Sequence, residues 1–484
     1  MKIIPPVETT ERIFCEGPTT KPRRTGMSRK WMVMVLVMCA AIIVLVDVAA
    51  AEIKTDYGAA FRARHEYWEN LTDLNTRGQA DRDFFRLRTS VWGKMDLNPN
   101  LGFYVKLTNE MKYFLGNFRP LLTSDSTSKD DRYDVDELLI DNLYFEAKNV
   151  LTLPLDLKIG RQDLRYGDGF LIADGTPGDG SRTFYFNAFK ATYNFNKDNA
   201  LDLIYISQPI KDEYLPSLYP SRSNALSGYV DNKKRLGASD EQAFVAYLKS
   251  KLLASLAVEP YYMYKEEDPV GANTQLQLNT LGMRAAFAQN NWKLRAEYAH
   301  QWGNYMDDAR ERSGNGGYIF AGYTFANSSL KPLVEIGYVY LSGDDSTTAK
   351  HEGWNPLFSR APSWNELFIY TLIAETAGDG GPIPGYWTNL HLYVASVNLT
   401  ITPATNLALS YQYLKADEAT VGLNAAMFSN KDKERGHLGA LILKHSFTKQ
   451  IDGMLQLEYF APGDFYADAA DDAIFSRVQL MFKF

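Results

Sequence analysis

The chain has 484 residues and a mean hydropathy of −0.29, with 13% aromatic residues led by 30 tyrosines. Both cysteines, Cys15 and Cys39, lie near its start, which excludes a disulfide framework or a thiolate metal centre in the remainder. No run of ~18 apolar residues follows Val46, which excludes a bundle of membrane helices, and the net charge of −7 gives no electrostatic case for nucleic acid.

At the N-terminus, Ser28-Arg29-Lys30 precedes an apolar run from Trp31 to Val46, followed by Val48-Ala49-Ala50-Ala51. A basic segment, a short apolar core and small residues at the cut are the parts of a secretory signal peptide, cleaved after Ala50 or Ala51. The run is short for a membrane anchor, and an anchor would leave the small residues without a role. Cys39 does not fit a lipoprotein site, because Met38 stands where a small residue is wanted. Residues 1–51 are therefore expected to be a signal peptide, in which the polar lead 1–26 reads as a mis-called start ahead of Met27. Residues 52–484 are expected to form one mature domain beyond the inner membrane.

From Tyr57 onward the sequence falls into stretches of about ten residues that alternate apolar and polar. Phe85, Leu87, Thr89 and Val91 alternate with Arg86, Arg88 and Ser90; Phe103, Val105 and Leu107 alternate with Tyr104, Lys106, Thr108 and Glu110. The segments Phe189–Phe195 and Trp292–Tyr298 repeat the pattern. Period two marks β-strands with one apolar and one polar face. They are twice as long as ordinary sandwich strands and match a tilted crossing of a bilayer.

The connections alternate between tight and long. Tight turns are predicted at Asn98-Pro99-Asn100, Leu153-Pro154, Asn196–Asn199, Ser250-Lys251, Gln289-Asn290-Asn291, Asn327-Ser328-Ser329, Pro403-Ala404-Thr405 and Thr448-Lys449-Gln450. The longest loops are predicted at Gln208–Asp240 and Ser342–Tyr386. Eight short turns and nine long loops give eighteen strands with both ends on the short-turn side. That is the layout of an all-β, antiparallel outer-membrane barrel; a large soluble sandwich or propeller is the competing fold. Leu367–Ala374 is kept in the longest loop, because a nineteenth strand would break the parity. At the C-terminus, Val478, Leu480, Phe482 and Phe484 face away from Arg477, Gln479 and Lys483, resembling the insertion signal of such barrels. Tyr67, Trp68, Tyr113, Tyr261, Tyr262, Trp302, Trp387 and Tyr459 lie near strand ends and are expected in interfacial girdles.

With the apolar face toward lipid, the polar faces line the lumen. The predicted lining cations are Arg62, Arg64, Arg86, Arg88, Lys106, Lys158, Lys190, Arg284, Lys293 and Arg295. Guanidinium forks match carboxylates and phosphates, so such a lining would attract an anionic solute. Glu66, Glu110, Glu146, Glu297 and Glu335 share that face, and pairing across strands that only stiffens the wall is the alternative role. Cations outnumber carboxylates in the first three strands, which places the expected anion-selective constriction around Arg86 and Arg88. Of the six histidines, His65, His300, His391, His437 and His445 are scattered singly on strands and His351 is in a loop. None sits in a motif with a nucleophile or at a zinc-ligand spacing, so neither catalysis nor a cofactor is expected. Asp130-Asp131 and Asp344-Asp345 read as solvated loop carboxylates or calcium ligands.

The run Gly160-Arg161-Gln162-Asp163-Leu164-Arg165-Tyr166-Gly167-Asp168-Gly169, continuing to Ser181-Arg182-Thr183-Phe184, resembles the bacterial alginate export family of outer-membrane barrels. Further similarity lies in Ser342-Gly343-Asp344-Asp345, Asn355-Pro356-Leu357-Phe358, Tyr386-Trp387-Thr388-Asn389-Leu390, Glu458-Tyr459-Phe460 and Pro462-Gly463-Asp464. The resemblance implies a single eighteen-strand barrel in the outer membrane of a Gram-negative-type bacterium. It also implies an arginine-lined pore for an anionic, uronate-type polysaccharide, and adds Arg161 to the site residues. Strict alternation from Leu155, Leu157 and Ile159 aims Arg161 at lipid. Either a bulge at Gly160 shifts its phase, which the glycine favours, or Arg161 stands above the membrane.

The glycines at 167, 169, 175, 178 and 180 make 166–183 either an ordinary surface loop or, together with 342–386, a lid over the mouth. The expected function is an outer-membrane channel for an anionic polysaccharide or oligosaccharide. A general or anion-preferring diffusion porin is the alternative, and an outer-membrane lipid hydrolase the remote one. Expected partners are outer-membrane lipid, the anionic saccharide and, for a closed export channel, a periplasmic export partner.

Overall fold

The computed structural model describes residues 53–77, 81–115, 133–173, 185–210, 212, 214–219, 239–268, 275–306, 310–359, 364–376 and 386–484. The expected signal peptide, residues 1–51, and Asp130-Asp131 lie outside the described residues. The described chain forms the strands β1 (Lys54–Glu69), β2 (Arg82–Asn98), β3 (Leu101–Phe114), β4 (Tyr133–Ala147), β5 (Leu155–Gln162), β6 (Phe186–Asn196) and β7 (Asn199–Gln208). A three-residue β8 (Ser217–Tyr219) is followed by β9 (Glu241–Leu253), β10 (Leu256–Glu267), β11 (Leu276–Gln289), β12 (Trp292–Tyr305) and β13 (Glu311–Thr324). The last six are β14 (Leu333–Leu341), β15 (Leu390–Thr402), β16 (Thr405–Lys415), β17 (Glu434–Ser446), β18 (Ile451–Pro462) and β19 (Ala473–Lys483).

Each wall strand pairs antiparallel with its neighbour in sequence, β7 pairs with β9, and β1 closes on β19 from Ala60–Lys483 to Glu69–Ile474. Eighteen strands thus form a closed barrel. β8 is the exception: it pairs with Leu138 and Leu139 of β4, covering an edge left open where the eight-residue β5 ends. Seven predicted turns fall where expected. The turn assigned to Ser250-Lys251 lies instead at Ala254-Ser255, because β9 runs on to Leu253 and Ser250 is an outward-facing strand residue.

The faces are inverted relative to a soluble protein. Phe85, Val91, Phe103, Phe244, Leu281, Met283, Ile319, Ile336 and Val478 are exposed on the outer wall, whereas Arg62, Arg64, Glu66, Arg86, Glu110, Asp202 and Arg477 are buried inside. Lipid is the solvent for such an outer face, and closure leaves no unpaired edge within it. Trp302 and Tyr459 are exposed on that outer face, as the girdle predicts. Trp68, Tyr261 and Trp387 are corrections: they turn inward and are buried.

The reason is a second core, inside the barrel. The long connection between β14 and β15 carries two short helices, α1 (Leu367–Thr371) and α2 (Ile373–Thr376), so Leu367–Ala374 is not a strand and the parity stands. Leu367, Phe368, Ile369 and Leu372 pack with Trp387 of the same connection and with Leu438, Phe460 and Phe475 from the inner wall. Trp68 lies with its ring 4.1 Å from that of Tyr370. Elsewhere Phe170, Trp354 and Phe358 from two different loops join Ile204, Ile206, Val245, Leu278 and Phe320.

Candidate functional site

The inward positions of β1, β2, β3 and β19 carry a dense charge network. Glu66 receives Arg64 at 3.2 Å, Arg86 at 3.5 Å and Arg477 at 2.9 Å. Glu110 receives Arg62 and Arg86, each at 2.8 Å. Register explains the grouping: Arg62 faces Arg88, Arg64 faces Arg86 and Arg88 faces Glu110 across adjacent strands. Like-charged neighbours are tolerated because buried carboxylates lie between them, and truncating one member would strand its partners.

One step along β4 the register slips by a residue, with Lys106 opposite Asn142 and Leu107 opposite Ile140. This bulge lets Asp141 and Asn142 both reach inward. Asp141, fully buried, receives Lys106 at 2.8 Å, Arg88 at 3.5 Å and the Thr108 hydroxyl at 2.8 Å. Farther round, Asp202 receives Lys190 and Lys249, each at 3.0 Å, and the hydroxyl of Tyr166. Burial, and then Asp202, push the Tyr166 hydroxyl pKa up, so it stays a donor. Lys158 lies 3.5 Å from Glu146 and 3.7 Å above the Tyr144 ring. Sequence reasoning missed Asp141 and Asp202; Asp202 shares the inward face of β7 with Ile204 and Ile206, so no polar alternation marked it.

The remaining predicted residues separate. Arg284 pairs with Glu259 at 3.1 Å and Asp168 at 3.4 Å, and Arg295 with Asp168 at 2.9 Å and Glu335 at 2.8 Å. Lys293 is on the same face, exposed at the short-turn end of β12. Glu297 accepts the Tyr261 and Tyr318 hydroxyls, each at 2.9 Å. Arg161 is a correction. Pairing runs through Gly160 without a register shift, so no bulge changes the phase and Arg161 stays on the face of Leu157 and Ile159. It does not meet bare lipid, because Asp212 pairs with it at 2.5 Å and Tyr185 lies under its guanidinium at 3.8 Å. Arg161 therefore ties the β7–β9 connection to the wall.

The described parts of the two motif-bearing loops pack against the inner wall of the barrel. Asp168 reaches Arg284 and Arg295, while Phe358 and Ile172 join the two loops in a parallel bridge. Gln301 clamps Asn355 by two hydrogen bonds of 2.7 and 3.0 Å. Arg435 of β17 grips Glu375 through two contacts of 2.8 Å, and Arg477 meets Glu366 at 3.3 Å. Asp344 and Asp345 are used within the loop, accepting the N–H groups of Glu352 and Thr347. The histidines remain dispersed: His65 meets Asp83, His391 meets Asp417, and His445 meets Thr405.

Beside the cation row, β1–β5 enclose an open cavity of about 360 Å³. Arg62, Arg88, Lys106 and Lys158 line it together with Ser90, Asn142 and Asp163. Trp92, Tyr104 and Tyr144 complete its wall. The arrangement offers cations, hydroxyl-accepting groups and aromatic surface to a solute in the lumen.

Among solved structures, the barrel is similar to Acinetobacter baumannii OccAB1 at 12% identity and a TM-score of 0.55, covering 89% of this chain and 96% of that one. It is similar to OccAB4 of the same organism at 10% identity and a TM-score of 0.55, covering 91% and 100%. Pseudomonas aeruginosa OpdK, solved with vanillate, gives 12% identity and a TM-score of 0.55 over 89% and 98%. These likenesses show the barrel fold. No curated protein matches the chain by sequence. The family model described as alginate export matches residues 54–478, nearly the whole barrel, and the chain belongs to that family.

Proposed function

We propose that the chain is an outer-membrane channel that passes an anionic, uronate-type polysaccharide or oligosaccharide along the cation-lined side of its lumen. The observation that supports this reading best is the sharing of single carboxylates by two cations: Arg88 and Lys106 on Asp141, and Lys190 and Lys249 on Asp202. Each set leaves local positive charge beside open or polar space, and in a narrow low-dielectric pore such an excess concentrates anions. Arg62, Arg64, Arg86 and Arg477 likewise share Glu66 and Glu110, and their deep burial suits them to hold the shape of the wall. The alginate export family fits an acidic polymer as the solute. Outer-membrane lipid surrounds the apolar belt, and a periplasmic export partner joins if the plugged barrel is closed at rest. No catalytic step enters.

The second reading, an anion-preferring porin for small solutes, is favoured by the described parts of the two loops, which join each other and pack inside the wall. Reversal potentials across a bilayer under a salt gradient test what both readings share. Anion preference that falls in Arg86→Ala plus Arg88→Ala is expected, and cation preference in the intact protein would refute it. Swelling of protein-loaded liposomes in uronate oligomers against neutral sugars of equal size separates the two. Rapid entry of the neutral sugars rejects a dedicated exporter.

A further inference from the structure

Three aromatic side chains stand together on the inner wall, below the cation row and toward the short-turn end. Trp92 of β2 and Tyr104 of β3 have ring centroids 6.1 Å apart with planes at 21°. Tyr104 and Tyr144 of β4, directly opposite in register, are 5.0 Å apart at 17°. The near-parallel planes overlap like shingles across the sheet, and all three rings border the cavity. Gly58 makes room for the first: a Cβ there would come within 2.7 Å of the Trp92 indole. Aromatic rings inside a water-filled pore are costly unless something apolar covers them.

The polar groups around the rings narrow what that something is. Lys158 lies over the Tyr144 ring and, among the described residues, has a long contact to Glu146. Lys106 shares its carboxylate with Arg88. Asp163 also borders the cavity, exposed, and accepts a hydrogen bond from Asn142 at 2.8 Å. A filter for simple anions gains nothing from a carboxylate there, whereas a carboxylate accepts hydrogen bonds from hydroxyl groups. Apolar faces, many hydroxyls and a negative charge in one solute describe an acidic sugar.

We propose that Trp92, Tyr104 and Tyr144 form a saccharide subsite, where the C–H faces of pyranose rings pack on the aromatic surface while Lys158 and Lys106 receive the carboxylate. The assignment rests on the channel reading above and adds the residues that distinguish a sugar acid from any other anion. Asp163 and Asn142 take the hydroxyls. The rings give the chain a succession of shallow, equivalent resting places, which suits passage better than one deep site.

The test is single-channel recording of the full-length protein with uronate tetrasaccharides, reading the dwell time of each blockade. Trp92→Ala and Tyr104→Ala are expected to shorten it roughly five-fold, Tyr104→Phe to leave it unchanged, and all three to keep the wild-type reversal potential. Heat-modifiable mobility on a gel checks that each variant folds. Unchanged dwell times in both alanine variants overturn the subsite and leave the channel reading standing. So does blockade by an aromatic carboxylate with the same ring dependence when the uronate has none. Wild-type protein that shows no uronate events and no anion preference overturns the channel reading itself.

Discussion

Replacing Arg435 by methionine separates the inner plug from the wall without touching the cation row. Arg435 is fully buried and holds the Glu375 carboxylate, itself 8% exposed at the side chain, through two contacts of 2.8 Å. Its guanidinium also donates to the Asn389 carbonyl at 3.1 Å and lies 4.0 Å above the Phe465 ring. Methionine keeps most of the apolar packing but leaves Glu375 without its cation. Breaking a buried pair in this way costs about 3–5 kcal/mol. The cost falls on the docked loop alone, because the undocked loop solvates its carboxylate. At about 1.4 kcal/mol per decade, undocking becomes at least roughly a hundred-fold more frequent. Leu367, Phe368, Ile369 and Leu372 still hold the plug, each contributing about 1.5–3 kcal/mol, so brief openings are expected rather than permanent loss. Single-channel recording would show these as large-conductance bursts, with the thermal transition of the barrel unmoved. Glu375→Gln in the same background removes the stranded charge and should return the burst frequency most of the way. Burst frequency equal to wild type in Arg435→Met, or a double variant no better than the single, would refute the anchoring role.

Asp168→Asn should release Arg284 and Arg295 from their shared carboxylate and raise anion over cation permeability, read as a shift in reversal potential. His351 provides a pH effect. Burial, then Arg312, lower its pKa to about 4 from an ordinary 6.5, so the imidazole is neutral and its Nδ1 accepts the Gly353 N–H. A depressed value means the contribution to loop docking is complete above pH 6.5 and is lost as pH falls toward about 4. The protection of amides in 342–359, corrected for the intrinsic slowing of exchange, should therefore fall between about pH 7 and pH 4, and His351→Gln should flatten that fall. Gly160→Ala should block assembly of the folded barrel, measured by heat-modifiable mobility: φ is +123° there, and a Cβ would fall on the Leu143 carbonyl oxygen.

The barrel was legible in the sequence because lipid outside and water inside impose a two-residue period on every strand. The same logic correctly aimed Arg62, Arg86 and Lys106 inward. It also set Glu66 and Glu110, the partners of Arg62 and Arg86, on that face, but it could not show the partner of Lys106, since Asp141 reaches inward only through a bulge set by local pairing with β3. The period also fails where the inside is not wet. Leu203, Ile204, Tyr205 and Ile206 read as an unbroken apolar run because Ile204 and Ile206 face the inner core while Leu203 faces outward. That run, like the inward Trp68 and Tyr261, was the available signal that loops fill the interior. Arg161 keeps the face that alternation assigns it, but its partner Asp212 comes from a long connection, and alternation alone cannot predict such a contact.

The dry core inside the barrel has a thermodynamic consequence for any gate built from these loops. Withdrawing α1 and α2 exposes Phe368, Trp387 and Phe460 to water together. Wetting apolar surface raises heat capacity, so the free energy of opening is curved in temperature rather than linear. The plug is then held most firmly at an intermediate temperature, and both cooling and warming from there favour the open channel.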